Sequence, residues 1–108
     1  MAMKKGLKAR WVAALRSGKF KQGKNQLRRK NEVSGKETFC CLGVLCKVSP
    51  AVMKRRTLKK FNAGAGSLWG QALAYAGFSI KIETTLARMN DNGGHGFKRI
   101  ANWIEKNL

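Results

Sequence analysis

Three cysteines, one histidine and five scattered acids are the side chains here with obvious chemistry to offer. Cys40, Cys41 and Cys46 fall within one short stretch, and His95 is the only histidine. A zinc site needs ligands that converge tetrahedrally, ordinarily from closely spaced pairs. On a helix, Cys41 and Cys46 would sit about 140° apart at ~3.6 residues per turn. On a strand, Cys40 and Cys46 would share a face but stand roughly 20 Å apart at ~3.3 Å per residue. Neither geometry converges, so no metal and no other cofactor is expected. Thiols in so apolar a stretch read as small buried hydrophobes. A Cys–His nucleophile needs a base in reach and a third group to orient it. Asn90, Asp91 and Asn92 stand near His95, but Asn90–Gly94 reads as a turn that precedes the last helix. Glu32, Glu37, Glu83, Asp91 and Glu105 are too dispersed for an acid–base pair or a two-metal site. The phosphate-cradling pattern G-x-x-x-x-G-K-[ST] is absent. The expectation is a protein that is not an enzyme.

Charge is the stronger signal. Twenty-three Lys and Arg against five acids give a net charge of +18 and a pI near 10.8. Residues 1–60 hold 18 of those cations and two acids, a net of +16; residues 61–108 carry only +2. Ordinary solvated surfaces intersperse both signs, and the N-terminal half does not. It is expected to present a polyanion-binding face in two clusters. The first is Lys19, Phe20, Lys21, Lys24, Arg28, Arg29 and Lys30; the second is Lys54, Arg55, Arg56, Lys59 and Lys60. Lysine supplies a diffuse charge and arginine a bidentate fork for phosphate. Phe20, between Lys19 and Lys21, suits a stacked base or an inserted wedge. It suits equally a loop aromatic folded back on the core. No base-reading motif is present, so weak sequence specificity is expected, with RNA and DNA both open. The partner class is nucleic acid or a nucleic-acid-containing complex. An acidic protein surface is the alternative, since the same charge would steer such a docking. No apolar run approaches the ~20 residues of a membrane span, and no apolar segment of a signal peptide follows the N-terminal lysines. Oligomeric state stays open.

The elements that must position these residues follow from periodicity. At this length one domain, 1–108, is expected, with a basic half 1–60 and a near-neutral half 61–108. Leu7, Trp11, Ala14 and Leu15 form a helical stripe over 7–17, with Ser17-Gly18 as a stop. A loop then enters a short strand around Gln26–Lys30, and Ser34-Gly35 signals a turn. FCCLGVLCKV, 39–48, is apolar nearly all round; helix is favoured, although periodicity alone leaves strand open. Ser49-Pro50 resembles an N-cap followed by proline at the first helical position. Residues 53–61 are ambiguous, 62–66 form a loop, and Ser67 caps an amphipathic helix that ends before Gly77. Ile80–Glu83 alternates as a short extended piece would, and Thr84–Met89 suggests one or two helical turns. Phe97, Ile100, Ala101 and Ile104 mark a helix over 96–106, with Trp103 off its stripe. The fold class is α+β and α-rich, with about four helices and a small β-hairpin or minor sheet.

Three ordered blocks stand out: RWVAALRSGKFKQGKNQLRR at 10–29, FCCLGVLCKV at 39–48 and TLARMNDNGGHGFKRIANWIEKNL at 85–108. They resemble a group of small tailed-bacteriophage proteins with a WVxALRSGxYxQG opening, a CCLGVLC centre and an LNDxGxSFxxIAxxIE ending. The resemblance implies a phage-encoded protein of the host bacterial cytoplasm, and it brings no catalytic residue with it. The chain departs from that pattern at Lys47, where the group has an acid, and in the basic KRRTLKK segment. The shared blocks therefore read as scaffold and the basic excess as this chain's own feature. The expected setting is takeover of a host or defence nucleoprotein machine. Alternatives are an inhibitor docked on a polymerase, nuclease or CRISPR effector, or a virion or packaging role.

Overall fold

The computed structural model describes residues 3–54 and 70–108. Its elements are α1 (Lys5–Arg16), β1 (Arg28–Lys30), β2 (Glu37–Phe39), α2 (Cys41–Val48), α3 (Pro50–Lys54), α4 (Gly70–Ala76), α5 (Ile80–Asp91) and α6 (Phe97–Asn107). The fold is an α-rich α+β type, with six helices and one two-stranded antiparallel sheet among the described residues. The register sets Arg28 opposite Phe39, Arg29 opposite Thr38 and Lys30 opposite Glu37.

Helix α2 lies at the centre because its first six residues are apolar on every side: Cys41 through Cys46 are all buried, and only Lys47 in the last turn reaches the surface fully. A helix without a polar face must be enclosed. α1 packs across it with Leu7, Trp11, Val12 and Leu15, and α6 lies along α1. Trp11 donates its Nε1–H to the Cys41 carbonyl at 2.8 Å and stacks its ring on Phe78. Phe97, Ile100, Ala101 and Ile104 of α6 are buried as their spacing predicts, and Trp103 is half-buried against the same core. The Ser49 hydroxyl accepts from the Val52 N–H, so Ser49-Pro50 does open α3. Among the described residues no helix is long and apolar enough to cross a membrane.

Two local expectations change. The buried helix begins at Cys41, and Phe39 instead closes β2. Residues 80–91 form one helix, not an extended piece followed by a turn. Ser79 caps it by accepting from the Ile82 N–H, and its buried face is Glu83, Leu86 and Asn90, at i, i+3 and i+7. The misleading alternation arose because Glu83 points in while Ile80 is 70% exposed. Ser67, Trp69, the loop 62–66 and residues 55–61 lie outside the described residues.

Candidate nucleic-acid interface

The hairpin is closed by its own turn residues. Gly35 donates to the Asn31 carbonyl and the Asn31 N–H to the Lys36 carbonyl, both at 2.8 Å. The Asn31 side-chain oxygen accepts from the Val33 and Ser34 N–H groups at 2.9 and 3.0 Å. Gly35 sits at φ +73°, where a side chain would be strained. These bonds return Lys36 beside Arg29 and Lys30. On the other edge of β2, Phe39 donates to the Lys21 carbonyl and Gly23 to the Phe39 carbonyl. Lys21 is thus fixed across Thr38 from the hairpin. The result is a groove of about 640 Å³ lined by Lys21, Arg29, Lys30, Lys36 and Thr38, with Glu32 as its one acid among the described residues. None of the four cations makes an ion pair among the described residues.

The sequence-predicted residues divide. Lys21, Arg29 and Lys30 enter the groove, and Lys19 and Lys24 are exposed on the segment that leads into it. Arg28 is engaged elsewhere. Its Nε–H binds the Glu37 carboxylate on the diagonal of the hairpin, and that guanidinium holds the Glu37 carboxyl below its usual range. Phe20 takes the folded-back alternative: its half-buried ring packs edge-on against Phe39, 5.6 Å between centroids. Lys54 is exposed at the end of α3 and does not line the groove. Arg55, Arg56, Lys59 and Lys60 lie outside the described residues. Sequence reasoning missed Lys36 and Thr38. The Ser34-Gly35 turn held the signal, since pairing the strands it joins sets Thr38 opposite Arg29.

A buried polar node holds this arrangement to the core. Asn90 is 1% exposed. Its Oδ1 accepts from Gln22 Nε2 at 2.9 Å and from the Cys41 N–H at 3.2 Å. Its Nδ2 donates to the Gly23 carbonyl at 2.7 Å and to Asp91 Oδ1 at 2.9 Å. Asp91 Oδ1 also accepts from the Asn25 N–H, and Gln22 reaches the His95 carbonyl. One residue thus ties the groove-forming loop, the start of α2 and the end of α5 together.

The family model described as Domain of unknown function (DUF8296) matches residues 3–63, more than half of the chain. The chain belongs to this family. No curated protein and no solved structure matches it. The DUF8296 match takes in α1, the hairpin, α2 and α3, hence every residue that lines the groove. Asn90 and Asp91 lie beyond it, so the node joins the matched segment to the C-terminal helices.

The cysteines of the DUF8296 segment are free and buried. Burial pushes the Cys40 thiol up to about 11 and Cys46 up to about 12, and holds Cys41 well above its ordinary value of 9.0. Thiols that keep their protons are poor nucleophiles and poor metal ligands. Among the described residues no group of three His, Cys, Asp or Glu side chains is arranged to hold a metal ion. The unfolded chain would ionise these thiols first. Their contribution to stability is therefore full below about pH 9 and is lost as pH rises toward the folded values. Native protein at about pH 8 should leave all three thiols unmodified by a thiol reagent, and denaturant should expose them. The unfolding midpoint should fall between about pH 8 and pH 10.5. Rapid labelling of a native thiol, or a midpoint that rises over that interval, would contradict the burial.

Proposed function

We propose that this protein grips the phosphate backbone of a nucleic acid through the groove beside its hairpin and catalyses no reaction. The observation that carries the reading is the convergence of Lys21, Arg29, Lys30 and Lys36, all free of ion pairs among the described residues, around a single acid. Four cations held together repel one another, and a polyanion relieves that repulsion while releasing its own counterions. The net charge of +18 extends the attraction beyond the groove. The resemblance to tailed-phage proteins supports a setting in the cytoplasm of an infected bacterium, with a host or defence nucleoprotein complex as target.

With four to six phosphates neutralised, log K against log salt should slope about −4 to −5 on duplex DNA. Reversing Arg29 and Lys30 to Glu should weaken binding by at least about tenfold and flatten that slope by about two. Folding should change little, because exposed charges contribute weakly to stability. Reversing Lys98 and Lys106 on α6 should matter far less. Equal losses from the two pairs would mean that only net charge counts. A slope shallower than about −2 would remove the backbone-gripping reading. A nuclease-resistant acidic protein recovered in equal stoichiometry would replace it with a protein-docking one.

A further inference from the structure

We infer that the hairpin tip enters the major groove of duplex DNA, where Glu32 and Val33 meet base edges while the flanking cations hold phosphates. The inference rests on the backbone-gripping reading and names its substrate. Every residue from Arg29 to Glu37 is exposed, so the hairpin stands away from the helical body. Its tip is nevertheless held in one shape by the four hydrogen bonds that Asn31 makes. At the apex Val33 is 99% exposed. A stiff β-branched apolar side chain at this hydrogen-bonded tip packs against nothing among the described residues. Glu32 beside it makes no ion pair among the described residues, although it shares the groove with four cations.

An acid inside a phosphate grip would be repelled by phosphate. In the exposed turn, next to Val33, it would face the bases instead. A carboxylate accepts from the cytosine N4 amino group, and a branched methyl surface meets the thymine 5-methyl. A two-stranded ribbon fits the B-DNA major groove, about 12 Å wide. The deep, narrow major groove of A-form RNA does not admit it.

The test is selection from a random duplex library by the full chain, followed by affinity ratios on the selected duplex. Changing the preferred cytosine should weaken binding about fivefold or more, within what a base contact supplies. Glu32→Gln should transfer that preference to adenine, whose N6 and N7 suit an amide. Replacing thymine by uracil should weaken the wild type and leave Val33→Asn unaffected. Both variants should keep the wild-type salt slope. Selection that yields no preference, variants that preserve the wild-type preference, or single-stranded DNA or duplex RNA bound as tightly as duplex DNA would each overturn the inference. In those cases the steep salt slope would persist, whereas its loss marks failure of the underlying reading.

Discussion

Gly43→Ala should cost more than about 4 kcal/mol or leave no folded protein, well beyond the usual range for a single substitution. Gly43 lies in the buried turn of α2, and a Cβ there would come within 1.7 Å of the Leu27 carbonyl oxygen and 2.6 Å of its carbon. The obstacle is backbone, which cannot rotate aside as a side-chain tip does. Leu27 is itself fully buried and leads directly into β1, so displacing it would move the hairpin. Overpacking a tight interior ordinarily costs about 1–3 kcal/mol, and rigid backbone at this distance puts Gly43 above that range. Gly6 in α1 is the control, since a Cβ there meets nothing within 4 Å among the described residues. Gly6→Ala should be neutral or stabilise by up to about 1 kcal/mol. Denaturant unfolding followed by circular dichroism measures both. A Gly43→Ala protein that unfolds cooperatively with a loss below about 1.5 kcal/mol would mean the Leu27 segment yields freely.

Asn90→Ala should destabilise by about 3–5 kcal/mol, because it strands several buried partners at about 1–3 kcal/mol each. The Cys41 N–H and the Gly23 carbonyl lose their side-chain partner, and the Gln22 amide keeps only the His95 carbonyl. Asn90→Asp should lose a comparable amount. It preserves size but replaces the donating amide with a carboxylate beside Asp91, burying one negative charge against another. The effect should reach the groove as well. Gly23 is two residues from Lys21, and the node anchors the loop that carries it. Asn90→Ala should therefore also weaken polyanion binding under conditions where the variant remains folded. A loss of stability below about 1 kcal/mol would show that water satisfies the freed groups at little cost.

The stripes of α1 and α6 were legible from spacing alone, as Leu7, Trp11 and Leu15 and then Phe97, Ile100 and Ile104 show. So was the burial of FCCLGVLC. In each case the partner of a side chain is the whole apolar interior, so a local period suffices. α5 was not legible, because two of its three buried residues, Glu83 and Asn90, are polar. Apart from the neighbouring Asp91, the partners that satisfy Asn90 in the interior lie 49 to 68 residues away in sequence. The groove was half legible: Lys21, Arg29 and Lys30 belonged to an evident basic cluster, while Lys36 joins them only when the hairpin closes.

Composition and local periodicity determined by themselves that the chain is α-rich, strongly basic in its first half and built around a buried cysteine-bearing segment. Only the tertiary structure decided which cations are free and which are spent: Arg28 on Glu37, Lys21 and Arg29 on the open groove. The reason is physical. Hydrophobic burial is non-directional and leaves a pattern along the chain. A hydrogen bond or ion pair depends on one partner at one distance and angle, and that partner is set by how remote segments meet.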